Sequence, residues 1–156
     1  MIYWFTGQPS SGKTTLANLL KNRLNIEYHL DGDELRALTL NKDYSITGRI
    51  KNVNHAHSIV KFLNKNNKDL VVSVVAPYIE QREELKEKLN EEIIEIYVHT
   101  SSVRSRDGYR CNYYQKPKDN YIDICTDSKS PEESLIELMF KIKEFKPKRE
   151  KLKEGL

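Results

Sequence analysis

Residues Gly7-Gln8-Pro9-Ser10-Ser11-Gly12-Lys13-Thr14 fit the pattern G-x-x-x-x-G-K-[ST], which restricts a fold more tightly than anything else in the chain. They stand between Ile2-Tyr3-Trp4-Phe5, β-branched and aromatic as a buried strand should be, and Leu16, Leu19 and Leu20, which recur at helical spacing. A strand, a glycine-rich turn and a helix in that order form a cradle for phosphate. The glycines let the backbone close on the anion, and amide N–H groups and the positive helix end face it. In such a loop Lys13 reaches the β- and γ-phosphates, and the Thr14 hydroxyl is placed to ligate Mg2+. Gly7, Ser10, Ser11, Gly12, Lys13, Thr14 and Thr15 are therefore the expected contacts to ATP. The plainer alternative is a glycine-rich turn ahead of an ordinary helix, and the flanking strand and helix weigh against it.

The rest of the chain predicts an α/β fold of the phosphate-loop NTPase type, a three-layer sandwich on a mostly parallel five-stranded sheet. The first helix is expected from about Gly12 to Leu24, a short strand over Ile26–Leu30, and a helix over Glu34–Leu40. After a polar loop, Ile50, Val53, Ile59, Val60 and Leu63 trace the apolar stripe of a longer helix. Asp69–Ala76 is an almost unbroken apolar run that ends at Pro77, as expected of a strand covered on both faces and hence of a parallel sheet. Pro77-Tyr78 opens a charged helix with Leu85 and Leu89 inward and Glu84 supporting Lys88 at i,i+4. Strands follow over Glu92–Val98 and Asn120–Thr126. Ser130-Pro131-Glu132-Glu133 is a capping box, and Leu135, Leu138, Met139, Ile142 and Phe145 mark the core side of the last helix.

Chemistry gathers at three further places. The second strand runs into Asp31-Gly32-Asp33, and in doubly wound sheets ligands collect beyond the carboxyl ends of strands. Carboxylates there can hold Mg2+ or accept a proton from an attacking hydroxyl, which makes Lys13, Asp31 and Asp33 the catalytic candidates and Thr14 with Asp31 the metal pair. The alternative is an Asp-Gly turn in which Asp33 caps the next helix. On the longer helix, Arg49, Asn52 and His55 share a polar face, a hand for an anion or simply a solvated surface. His55 and His57, two apart, point different ways and do not form a metal pair. Finally, the stretch from His99 to Lys118 is rich in arginine and tyrosine. It reads either as a surface loop or as a lid in which Arg104, Arg106 and Arg110 balance charge on a transferred group.

Composition narrows the class. At 156 residues the chain is one domain, expected over residues 1–146, with a basic tail over 147–156. The net charge of +3 is concentrated: from Lys141 onward it is +4, leaving the remainder at −1. The tail is either a frayed terminus or a nucleic-acid contact, and a near-neutral body makes a polyanionic substrate unlike what the chain is built for. No apolar run approaches the ~20 residues of a membrane span. Met1 leads directly into the first strand, so a cytoplasmic location is expected. Cys111 and Cys125 form no C-x-x-C pair, and neither a disulfide nor zinc is expected.

The ordered motifs resemble the adenylylsulfate kinases, which phosphorylate the ribose 3′-hydroxyl of adenosine 5′-phosphosulfate. Trp4-Phe5-Thr6-Gly7 with Gly12-Lys13-Thr14-Thr15-Leu16-Ala17 is similar to the family's opening strand and loop. Leu30-Asp31-Gly32-Asp33 with Leu35-Arg36 resembles its D-G-D-x-x-R segment, and Tyr44-Ser45 with Arg49 and Asn52 its F-S-x-x-D-R-x-x-N stretch. Ala76-Pro77-Tyr78 with Arg82 is similar to S-P-Y-x-x-x-R, and Arg106-Asp107 to the start of the lid. The resemblance implies ATP and Mg2+ as cofactors, a homodimer, and a nucleotide acceptor held by Asp33, Arg36, Tyr44, Arg49, Asn52, Pro77 and Tyr78, with Arg106 and Arg110 closing on ATP. Three departures stand out. Gly48 replaces the Asp before Arg49, His55 replaces an Arg, and the shortened lid has no equivalent of the phenylalanine that sandwiches adenine. They imply a retained transfer apparatus beside a rebuilt base pocket, as in the family's cytidine diphosphoramidate kinases of bacterial capsule modification. Tyr109, Tyr113 and Tyr114 are then the candidates for base stacking. Other readings are a true adenylylsulfate kinase, a hydroxymethylpyrimidine DNA kinase and a non-catalytic nucleotide-binding regulator.

Overall fold

The alternation of side chains in the first strand decides the layering. In a computed structural model describing residues 1–102 and 109–147, Ile2 and Trp4 face one core while Phe5 faces the other. This strand, β1 (Ile2–Thr6), is the centre of a five-stranded sheet. It is flanked by β3 (Leu70–Ser73) and β4 (Ile93–His99), with β2 (Tyr28–Asp31) and β5 (Tyr121–Cys125) outermost, in the order β2-β3-β1-β4-β5. Every pairing is parallel, so the sheet is wholly rather than mostly so. On the Trp4 side, Leu30, Val53, Val60, Val72 and Leu85 are buried beneath α3 (Ile46–Lys65) and α4 (Ile79–Leu89), and Leu35 enters from α2 (Gly32–Thr39). On the Phe5 side, Leu16, Leu20, Ile96, Ile124 and Leu138 pack under α1 (Lys13–Arg23) and α5 (Pro131–Glu144). Among the described residues no helix is long and apolar enough to cross a membrane.

Three details differ from the sequence reading, each for a physical reason. The apolar run Asp69–Ala76 is strand only over Leu70–Ser73, because the chain then turns away through Ala76, at a φ of 44°, toward Pro77. Ile50, expected in the core, is 37% exposed. The buried stripe of α3 instead runs through Arg49, Asn52, Val53, Ala56, His57 and Val60, since the first half of the helix faces a polar cleft. His57 is a core residue, set edge-on to the Trp4 ring at 5.6 Å, and burial lowers its pKa to about 4.

A buried ion network closes the sheet's far side. Arg82 Nε donates to Glu95 Oε1 at 2.7 Å and Lys86 Nζ to Glu95 Oε2 at 2.6 Å, and all three residues are buried. Arg82 also donates to the carbonyls of Ala76 and Gln115, and Gln115 N–H donates to the Pro77 carbonyl at 2.8 Å. One carboxylate on β4 thereby fixes both the turn after β3 and the segment returning toward β5. At the last helix, Ser130 Oγ accepts from Glu133 N–H and the Glu133 carboxylate accepts from Ser130 N–H, the capping box expected there.

Candidate active site

The loop from β1 to α1 passes so close to β4 that a Cβ on Gly7 would lie 2.1 Å from the Val98 carbonyl oxygen, so only glycine fits there. Lys13, in the first turn of α1, is buried and donates from Nζ to the Gln8 carbonyl at 2.8 Å. Thr14 Oγ1 donates to Asp31 Oδ1 at 2.8 Å, which ties the loop to the end of β2.

Asp31 is the hub of this corner. Its other oxygen accepts from the N–H groups of Asp33 and Glu34 at 3.1 and 3.4 Å, so Asp31, not Asp33, caps α2. Parallel register sets it opposite Ser73 of β3, whose hydroxyl donates to Oδ1 at 2.8 Å. Burial alone would raise this carboxyl, but the hydrogen bonds from Thr14, Ser73 and the two backbone amides outweigh it and hold its pKa below the ordinary value.

An open cleft runs from the loop across this corner. Ser10, Gly12, Lys13, Thr14 and Thr15 line one end, and Asp31 and Asp33 the middle. Arg36, Tyr44, Arg49 and Asn52 form the other end, with Pro77 and Tyr109 across from them. The Arg36 guanidinium lies 4.0 Å above the Tyr44 ring and donates to the Asp43 carbonyl at 2.8 Å. Arg49 donates to the carbonyls of Tyr44 and Tyr109 at 3.1 and 2.9 Å. It thus joins the helix to the residue on the far wall, and the rings of Tyr44 and Tyr109 lie 5.0 Å apart. Asn52 is buried, and among the described residues its Oδ1 has no hydrogen-bond partner. A buried acceptor left in a cleft wall is what a ligand's N–H or O–H would satisfy. Arg49 and Asn52 are therefore not the solvated face that residue pattern alone allowed. Gly48, where the family pattern has Asp, has no room for a side chain, since a Cβ would lie 2.0 Å from the Asp43 carbonyl oxygen.

Some expected contacts are not on the cleft wall. Gly7 and Ser11 shape the loop from behind it. Tyr78 is the N-cap residue of α4, with its hydroxyl buried and no partner among the described residues. Arg110 is exposed and off the wall, whereas Arg104 and Arg106 lie outside the described residues. Of the tyrosines proposed for stacking, Tyr109 reaches the cleft, while Tyr114 is half-buried off its wall, with its hydroxyl 2.9 Å from Thr6 Oγ1. Sequence reasoning missed Gln8, whose carboxamide makes two hydrogen bonds to the backbone of Cys111, from Nε2 to the carbonyl at 2.6 Å and from the Cys111 N–H to Oε1 at 2.9 Å. It also missed Ser73 and His29, although their position two residues from, or directly across from, Asp31 was a signal.

The family model for adenylylsulphate kinase matches residues 1–138. The chain belongs to the adenylylsulphate kinase family. An adenylyl-sulfate kinase of Thermodesulfovibrio yellowstonii is 32% identical over 167 residues, covering 92% of this chain and 84% of the relative. The cytidine diphosphoramidate kinase of Campylobacter jejuni is 31% identical over 143 residues, covering 86% of this chain and 84% of the relative. Among solved structures, the Mycobacterium tuberculosis APS kinase in complex with AMPPNP and APS superposes with a TM-score of 0.73, over 91% of this chain and 96% of that one, at 23% identity. Membership of the adenylylsulphate kinase family makes the protein a nucleotide-binding phosphotransferase of the phosphate-loop kinase fold, and ATP with Mg2+ is the family's donor pair.

Proposed function

We propose that the protein transfers the γ-phosphoryl group of ATP to the ribose 3′-hydroxyl of a 5′-modified nucleotide, with cytidine diphosphoramidate as the first candidate acceptor. The observation that carries this reading is the single cleft joining the phosphate loop to the Arg36, Arg49 and Asn52 wall through Asp31 and Asp33. The Thr14 hydroxyl and the ionised Asp31 carboxylate, 2.8 Å apart, are hard oxygen donors that fit Mg2+. When bound, that ion would neutralise charge on the phosphoryl oxygens.

The remaining work belongs to the chain. Loop amides and the start of α1 hold the phosphates, and Lys13 balances charge at the transferred group. Arg36 and Arg49 grip the acceptor's 5′ anionic group, Asn52 accepts from a nucleotide donor group, and Tyr44 with Tyr109 and Pro77 receive the base. Asp33 takes the proton of the 3′-hydroxyl as its oxygen bonds to the γ-phosphorus. The bond from that phosphorus to the β–γ bridging oxygen breaks, and ADP leaves.

Support for a rebuilt base pocket comes from the Tyr44 and Tyr109 pair and from the Campylobacter relative. Adenylylsulfate is the second reading, favoured by the Thermodesulfovibrio relative. The test is ADP release with cytidine diphosphoramidate and with adenylylsulfate, with 31P NMR of the product. The expected result is preferential turnover of the cytidine substrate, a 3′-phosphate in the product and no reaction with a 3′-deoxy analogue. Preference for adenylylsulfate would move the assignment to the second reading, and phosphorylation at any other position would overturn the 3′-kinase assignment.

A further inference from the structure

Where α2 ends, the chain makes a tight turn. Leu40 adopts a φ of 55°, and the Asn41 N–H returns to the Arg36 carbonyl at 3.0 Å. The turn sets the Asn41 carboxamide between two parts of the acceptor wall. Its Oδ1 accepts from Arg36 Nη1 at 3.3 Å and from the Asp43 N–H at 3.0 Å, while its Nδ2 donates to the carbonyl of Gly48, in the first turn of α3, at 2.9 Å. Guanidinium and backbone N–H groups only donate and a backbone carbonyl only accepts, so the amide has one consistent orientation. Two backbone carbonyls, of Asn41 at 3.2 Å and of Asp43 at 2.8 Å, complete the hold on Arg36. The Asp43 carbonyl can lie there because Gly48 has no side chain to displace it.

All three bonds from the Arg36 guanidinium use Nη1. Nε and Nη2, whose N–H groups lie parallel along the other edge, make no hydrogen bond among the described residues. That edge suits two oxygens of a single anionic group. Arg49 is arranged the opposite way, since its Nε and Nη2 are taken by the carbonyls of Tyr44 and Tyr109. Granting Arg36 the grip on the acceptor's 5′ group given above, we propose that Asn41 is a positioning residue: by holding Nη1 it presents the open edge of the Arg36 guanidinium to two oxygens of that group.

The experiment is isothermal titration calorimetry of the full chain, holding AMPPNP and Mg2+, with cytidine diphosphoramidate and separately with cytidine, which keeps base and ribose and lacks the 5′ anionic group. Asn41→Ala should weaken cytidine diphosphoramidate about tenfold, the scale of one hydrogen bond to a charged group, and cytidine less than about twofold. AMPPNP should bind the variant as it binds the wild type. In an Arg36→Ala background the same change should cost little more, because both act through one guanidinium. If adenylylsulfate proves to be the acceptor, it and adenosine replace the pair. Wild-type affinity for the charged nucleotide in Asn41→Ala, an equal loss for the nucleoside, or additive losses in the double variant would overturn the proposal. Arg36→Ala separates it from the reading beneath it. If that variant loses the charged nucleotide while Asn41→Ala does not, only the positioning role fails; if it binds that nucleotide as wild type does, the acceptor-side role of Arg36 fails as well.

Discussion

Lys13 and Arg49 are both buried cations in one cleft, yet their expected roles separate in kinetics. Lys13 stands beside the loop that would hold the phosphates, and removing a cation next to charge that grows in the transition state costs about 10²–10³ in turnover. Lys13→Ala should therefore lower kcat by that order in steady-state assays, and near-normal turnover would reject the phosphate site. Arg49 lies at the other end, bonded to the carbonyls of Tyr44 and Tyr109. Arg49→Ala should raise the KM for the acceptor well above any change in the KM for ATP, and the reverse pattern would displace the acceptor pocket. At this scale the sequence was informative wherever a residue's role follows from local spacing, as for Gly12, Lys13 and Thr14. It was silent where the role is made by distant chain. Arg49 and Asn52 look like solvated helix positions until Tyr109, far along the chain, is brought across from them.

Among the elements, the strands and helices follow the hydrophobic pattern closely, because each strand of a doubly covered parallel sheet must be apolar on both faces. Glu95 is the exception that pattern could not explain, a carboxylate in the middle of β4 at 1% exposure. Its partners Arg82 and Lys86 come from α4, one turn apart, and only folding brings them to the strand. Removing one member of such a network leaves a buried charge uncompensated, at about 3–5 kcal/mol. Glu95→Ala should lower the unfolding free energy by an amount of that size, measured by urea unfolding, and it should loosen the turn at Ala76 and Pro77 that borders the cleft. A loss below about 1 kcal/mol would mean that the network relaxes instead. The terminus of α5 offers a smaller check: Ser130→Ala removes the side-chain acceptor of the capping box and should cost about 1 kcal/mol.

For the whole molecule, stability should depend on acidity through His57. Its imidazole is buried against Trp4, where desolvation is the main effect, aided by Lys61 and Lys88 and opposed by Glu84. The folded pKa of about 4 lies below the ordinary value of 6.5, so between those values the unfolded chain binds more protons. The stabilisation is complete above pH 6.5 and drains away as the pH falls toward 4, reaching a loss of about 3 kcal/mol. His57→Phe keeps a ring against Trp4 and removes the titration. Relative to wild type the variant should gain stability between pH 7 and pH 4 in chemical denaturation, and parallel curves would refute this account.

The two hydrogen bonds from the Gln8 carboxamide to the Cys111 backbone carry a consequence for engineering. Position 8 is both a member of the glycine-rich loop between β1 and α1 and the anchor stitch for the strip of chain that follows β4. Transplanting a longer strip from a relative would remove the far end of that stitch and leave a polar amide without its mate beside the nucleotide. A chimera should regain nucleotide affinity only when the donor's own residue at position 8 travels with its strip.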